Sequence, residues 1–146
     1  MSASDGFETN ILKLIFNNTT YAGLGDATGL VGSTGAGSLY VSLHTSDPGE
    51  TGTQTSSEAT YTSYARVAVA RTSGGWTVSG NSATNTATIN FPACTGGSST
   101  VTYFGIGANT SGTGQLLFSG ALTASLAVSN GITPSFATSA LTISVD

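Results

Sequence analysis

Charged residues are scarce in this sequence. They make up 7% of its 146 residues, against about 25% in ordinary soluble domains. Lys13, Arg66 and Arg71 are the only permanent cations, and the net charge is -4. A nucleic-acid backbone would be repelled, and no basic patch would attract an anionic membrane. We therefore expect neither partner, and a Ser-, Thr-, Asn- and Gly-rich surface suited to packing against copies of itself or a large neutral assembly.

Cysteine and histidine are almost missing as well. Cys94 is the only cysteine, so no disulfide can form within the chain, and we expect a small buried apolar residue there. One His and one Cys cannot build a transition-metal cluster, and no sequence feature indicates a cofactor. Residues 1–5 lack the basic start and apolar run of a signal peptide, and no apolar stretch approaches the length of a membrane span. We expect synthesis in a cytoplasm.

The residues that are abundant favour a sheet. A chain of 146 residues can bury roughly 70% of its unfolded surface as one domain, and β-branched and aromatic residues recur at alternating positions. Gly-rich turns separate these runs. The pattern predicts a mainly β fold, an antiparallel β-sandwich or jelly-roll-like barrel of about eight strands. The runs are 39–44, 65–71, 76–79, 85–91, 101–107, 115–120, 122–128, 132–136 and 141–145.

One short helix is predicted before the strands. Asp5 can cap it, with Glu8 three residues later closing a capping box, and it should end near Asn17 and Asn18. Its apolar residues follow helical spacing and form one stripe, which Leu12 and Phe16 widen. Because so short a helix is marginal in water, the stripe must pack on its own domain or on a neighbour. The candidate assembly contacts are Phe7, Ile11, Leu14 and Ile15.

A glycine-rich segment follows the helix. Glycine occurs at 23, 25, 29, 32, 35 and 37, which favours turns and irregular backbone. No Lys follows these glycines, so a phosphate-binding loop is not indicated. We predict a surface segment that reaches a neighbour, and we divide the chain into a helix and linker arm (1–38) and a β-sandwich domain (39–146).

The loop of residues 45–63 is long for a compact domain. Such loops are usually functional or interfacial, and this one carries three acids and ends beside two tyrosines. The acids do not fit the spacing of a calcium loop, and a glycosidase pair needs a rigid frame, so a solvated loop is the favoured interpretation. The tyrosines either stack on sugars, or stabilise the return of the loop or a contact between subunits. The candidate partner-binding residues are Asp47, Glu50, Glu58, Tyr61 and Tyr64.

A catalytic use of the single histidine is the weakest hypothesis. His44 and Asp47 lie near several serines, but a nucleophile, a base and an orienting acid need convergent geometry. One His among many Ser residues arises easily by chance. We therefore predict no catalytic, cofactor-binding or metal-binding residues, and a protein that is not an enzyme.

Five segments together resemble a known family. In their order along the chain, they are similar to small virion proteins of tailed bacteriophages, whose members are labelled tail fibre or minor tail proteins, or minor capsid or decoration proteins. The resemblance covers nearly the whole chain and carries no catalytic motif. The segments are LYVSLHTSDPGE (39–50), YARVAV (64–69), NFPA (90–93), TYFGIG (102–107) and LFSGAL (117–122).

The resemblance implies a non-enzymatic structural protein of the virion, assembled in the host cytoplasm. The leading hypothesis is a capsid decoration or minor capsid protein that binds the major capsid protein and stabilises the shell. The alternative is a tail or tail-fibre protein that binds tail proteins and contributes to host-surface (glycan) binding. In either case we expect a homo-oligomer, and a trimer would suit the three-fold positions of a shell.

Overall fold

The computed structural model describes residues 2–145 and contains one helix followed by nine strands. The predicted fold class, mainly β and antiparallel with one short N-terminal helix, is confirmed, with nine strands instead of about eight. The elements are α1 (Asp5–Asn17), β1 (Ser38–His44), β2 (Val67–Ala70), β3 (Trp76–Ser79), β4 (Ser82–Asn85), β5 (Ile89–Asn90), β6 (Ser98–Gly107), β7 (Leu116–Ser129), β8 (Ser135–Phe136) and β9 (Thr142–Ser144).

The strands form three sheets. A four-stranded sheet has the order β2-β1-β6-β7, a three-stranded sheet the order β3-β4-β9, and β5 pairs with β8. In the larger sheet β1 and β6 are antiparallel, with Val41 opposite Ile106 and Leu43 opposite Phe104. These four side chains are buried, as expected for two central strands.

The chain divides into two compact units. Unit 1 contains the described residues of Met1–Ser38, Val69–Ile89 and Phe136–Asp146, and unit 2 contains Leu39–Ala68 and Asn90–Ser135. Each has buried apolar residues of its own. The division into an arm of residues 1–38 and a domain of residues 39–146 stays a prediction.

The N-cap of helix α1 lies one residue earlier than predicted. Ser4 is the N-cap, since its backbone is extended and its hydroxyl accepts from Phe7 N at 3.4 Å. Asp5 is therefore the first helical residue, and with Glu8 it places negative charge in the first turn, where the helix dipole favours it. The predicted end is confirmed, because Asn18 adopts the left-handed conformation that terminates the helix.

The buried face of α1 is not the predicted stripe. Leu12 and Phe16 are fully buried and Glu8 is nearly so, which corresponds to the spacing i, i+4, i+8. Phe16 packs edge-on against Trp76, with 4.9 Å between ring centroids, and Trp76 is also fully buried. The large aromatic partner in unit 1 therefore decides which side of the helix faces inward. The predicted stripe of Phe7, Ile11, Leu14 and Ile15 is exposed or half-buried.

A distant arginine caps the other end of α1. The last turn of the helix contains no basic residue, but Arg71 donates to Ile15 O at 2.6 Å and to Leu14 O at 2.7 Å. The guanidinium thus satisfies carbonyls that lack helical partners and places positive charge at the negative end of the helix dipole.

Candidate functional site

The loop of residues 45–63 is folded back against β1. Thr45 N donates to Ser57 O, and Ala59 N donates to Leu43 O, both at 2.8 Å. Further along, Thr62 N donates to Gly96 O at 2.8 Å. The loop is therefore held by backbone hydrogen bonds as it returns toward β2.

A buried glutamine fixes the middle of this loop. Gln54 is fully buried. Its backbone N–H donates to Gly114 O at 3.0 Å, and its side-chain Oε1 accepts from Asn109 N at 2.9 Å. A Cβ added at Gly107 would clash with the Gln54 side chain, so glycine is required for the glutamine to fit. Gln54 is not among the residues singled out from the sequence, although glycine within a strand often marks such a close approach.

A buried ion pair closes the C-terminal part of the loop. Glu58 accepts from Arg66 through both carboxylate oxygens, with Nε–Oε1 at 2.7 Å and Nη2–Oε2 at 2.8 Å. The side chains are 3% (Arg66) and 15% (Glu58) exposed. The hydrogen bonds with Glu58 raise the pKa of Arg66, so its positive charge is retained. This two-point pairing is among the strongest polar contacts that proteins make.

The same arginine also holds a second loop. Its Nη1 donates to Asn109 O at 3.0 Å and its Nη2 donates to Gly112 O at 2.8 Å. Residues 108–115 connect β6 to β7. The loops 45–63 and 108–115, which we call the loop end of unit 2, are thus fastened to one guanidinium.

The two candidate tyrosines support the loop from inside. The Tyr64 hydroxyl donates to Glu58 Oε1 at 2.8 Å and accepts from Leu43 N at 3.1 Å, and burial raises the pKa of Tyr64. Its ring stacks with that of Phe91. Tyr61 is 2% exposed and donates to Pro92 O at 3.0 Å. Tyr61 therefore offers no open ring face for a sugar to stack on.

His44 is a structural residue in the same network. It is fully buried; Nδ1 donates to Ser56 O at 2.7 Å and Nε2 accepts from the Ser42 hydroxyl at 2.8 Å. The tautomer follows from the carbonyl, which can only accept. Asp47, the proposed catalytic partner, is exposed and accepts from Gly49 N within its own turn. His44 therefore makes the contacts of a buried structural residue, and Asp47 makes those of a residue in a surface turn.

The stability of unit 2 should decrease in mild acid because of His44. Burial lowers the pKa of His44, and this outweighs the Ser56 carbonyl and Glu58, which act in the opposite direction. The folded state then binds fewer protons than the unfolded state. The stabilisation that neutral His44 provides is therefore complete above a pH of about 6.5 and is lost as the pH falls through the folded-state pKa. Urea unfolding from about pH 7.5 to about pH 5 should show a falling free energy of unfolding. In His44→Gln the slope should be smaller, and an identical slope would contradict this role.

The remaining candidate residues lie at the surface. Asp47 and Glu50 are exposed, and Glu50 lines a hollow of about 260 Å³ together with Gly49, Gly52 and residues 116–119. The structure thus brings Glu58 and Tyr64 together and leaves Asp47 and Glu50 facing outward. In residues 2–145 no three His, Cys, Asp or Glu side chains are grouped to hold a metal ion. A partner-binding role for the loop stays a prediction.

The helix stripe also stays a candidate. Phe7 is 39% exposed and its ring lies 6.1 Å from that of Tyr21, while Ile11, Leu14 and Ile15 are half-buried. Within the described part of the chain, no helix is both long enough and apolar enough to cross a membrane.

An open pocket of about 250 Å³ lies between the two loops of the loop end. It is lined by Glu58, Tyr64, Ala65, Arg66, Thr110, Ser111 and Gly112. Thr110 and Ser111 are exposed, so their hydroxyls are available to a ligand, whereas Glu58 and Arg66 are bonded mainly to each other. This arrangement suits hydrogen bonding to a polar partner.

Comparison with known proteins identifies the family. The family described as "Podophage GP4 fiber I protein gp80" matches residues 2–144. No curated protein matches the chain. The resemblance to small virion proteins of tailed phages is confirmed, and a fibre family supports the tail alternative better than the capsid decoration hypothesis. The chain therefore belongs to the podophage fiber I family, and it is a structural protein of the bacteriophage virion.

Proposed function

We propose that this chain is a tail-associated fibre protein that contacts the host surface through the loop end of unit 2. The family match over residues 2–144 supports the tail association. The observation that carries the contact surface is the attachment of both loops to Arg66. Loops that are already ordered lose little conformational entropy when they bind a partner.

The pocket at the loop end indicates the chemistry of the contact. Its lining includes Thr110 and Ser111, which are exposed and carry hydroxyl groups. Side-chain hydroxyl groups both donate to and accept from the hydroxyl groups of saccharides. The ligand class that fits is a neutral or weakly charged surface glycan, held mainly by hydrogen bonds.

Filling the pocket tests this proposal. Ser111→Trp places a large ring over the pocket while leaving Glu58 and Arg66 unchanged, and Thr88→Trp is the matched control at an exposed site in unit 1. Labelled wild-type protein and the control should bind host cells, and Ser111→Trp should lose about tenfold or more in affinity because a shape-blocked pocket excludes its ligand. Equal binding by all three proteins, or no binding by the wild type, would contradict the proposed contact.

We also propose the partly exposed helix stripe as an attachment surface for other virion tail proteins. Its apolar side chains are not needed for the packing against Trp76, which uses Leu12 and Phe16. Burial of half-exposed apolar side chains on assembly is favourable. The surface is defined by Phe7, Ile11, Leu14 and Ile15.

A further inference from the structure

Strand β7 forms an unusually open edge of the four-stranded sheet. It spans Leu116–Ser129, 14 residues, and lies at the end of the order β2-β1-β6-β7. Its strand neighbour in residues 2–145 is β6. An edge strand presents backbone donors and acceptors that another strand can pair with.

This edge lacks most of the usual protection. Proteins generally guard exposed edges with charged residues, prolines or very short strands. The opposite edge strand, β2, is only four residues long. Strand β7 is longer and contains neither a charged residue nor a proline. The sheet therefore ends on one side in a very short strand and on the other side in a long strand without charge or proline.

The pairing of β7 with β6 is interrupted twice, by a one-residue shift at Leu117 and by a larger bulge in the middle of the strand. Residues 118–121 and 126–129 pair regularly with β6, whereas 122–125 lie opposite the single residue Thr102. The two regular segments are equal in length and lie on either side of the bulge. Antiparallel pairing of two copies of β7 would place 118–121 of one copy beside 126–129 of the other, with both bulges at the two-fold axis.

The distribution of charge favours a second copy as the occupant. No Asp, Glu, Lys, Arg or His occurs between residues 72 and 145, although the net charge is -4. Two identical chains repel each other least where neither carries charge. Glu50 lies beside residues 116–119, so a two-fold arrangement would keep the two Glu50 side chains at opposite ends of the paired strands.

We propose that two copies of this chain associate through β7, joining their four-stranded sheets into one continuous sheet. The small side chains of Ser119, Ala121 and Ala127, all exposed, allow the strands to approach closely. The inference is independent of what the loop end binds.

The test measures the mass of the full chain in solution over a range of concentrations. The wild type should dimerise. Ser119→Lys combined with Ala127→Lys should raise the dissociation constant by about tenfold or more, because lysines along an edge strand oppose its pairing with another strand. Ser73→Lys with Thr88→Lys, exposed sites in unit 1, is the control with the same net charge and should still dimerise. Both double variants add two lysines and so reduce the net negative charge of the chain. An effect of net charge alone would therefore strengthen association instead of weakening it.

A second measurement tests the register and does not depend on the lysine variants folding well. Thr123→Cys places a thiol at the proposed two-fold axis, and mild oxidation should give a covalent dimer, whereas Thr88→Cys should not. A wild type that stays monomeric, a dimer that the edge lysines leave unchanged, or a trimer would overturn the proposal.

Discussion

Replacing Arg66 by methionine is expected to lower the free energy of unfolding of unit 2 by about 3–5 kcal/mol. The Arg66 side chain is only 3% exposed and is the cation that pairs with Glu58. The substitution therefore leaves the Glu58 carboxylate without a partner charge where little water reaches it. It also removes the donors to Asn109 O and Gly112 O. Urea unfolding followed by circular dichroism would measure the loss.

Two companion variants separate charge from geometry. Arg66→Lys keeps the charge but cannot reproduce the paired hydrogen bonds to Glu58, so an intermediate loss is expected. The double variant Arg66→Met with Glu58→Met removes both charges and should recover part of the stability, because apolar replacements of buried ion pairs are often tolerated. A loss below about 1 kcal/mol in Arg66→Met would show that the ion pair does not hold the loops.

Replacing Trp76 by alanine is expected to destabilise unit 1 by about 3–5 kcal/mol. Trp76 is fully buried and packs edge-on with Phe16 at 4.9 Å, so truncation leaves a cavity beneath helix α1. Trp76 is the only tryptophan, and its fluorescence is lost in the variant. Unfolding should therefore be followed by circular dichroism.

Trp76→Phe is the matched control for this prediction. It keeps an aromatic ring, and among residues 2–145 the Trp76 indole N–H has no hydrogen-bond acceptor, so no hydrogen bond is lost. The loss should be clearly smaller than for alanine. Equal losses for Phe and Ala would mean that ring packing against the helix is not what Trp76 contributes.

The sequence predicted the type of the N-terminal element better than its orientation. Capping residues and helical spacing located α1 to within one residue at each end. The helix carries apolar residues over much of its circumference, so periodicity alone could not decide between the Phe7 side and the Leu12 side. That choice depends on Trp76, which lies 59 positions beyond Asn17 along the chain and accepts a hydrogen bond from its side chain.

Alternating apolar residues located the strands, but the alternation did not reveal where a strand is bulged or broken. The runs at 115–120 and 122–128 were predicted as two strands, but they form the single strand β7 with a bulge. The opposite error occurred at 85–91, where β4 ends at Asn85 and β5 begins at Ile89. The Asn85 side chain explains the break, because it donates to Ala87 O and Ala137 O and accepts from Leu141 N.

The loop end shows why the candidate site could be predicted only in outline. Its length and its acids indicated a functional or interfacial loop, but its order depends on contacts between distant residues. Arg66 reaches Asn109 and Gly112, and Gln54 also contacts Asn109. No local pattern in the sequence encodes such contacts.

The position of the chain in the intact particle tests the central claim most directly. An electron-microscopy reconstruction of the virion should place this fold in fibres attached to the tail, with the loops 45–63 and 108–115 directed outward. Density for this fold in the head shell, with none at the tail, would contradict the proposed tail-fibre function.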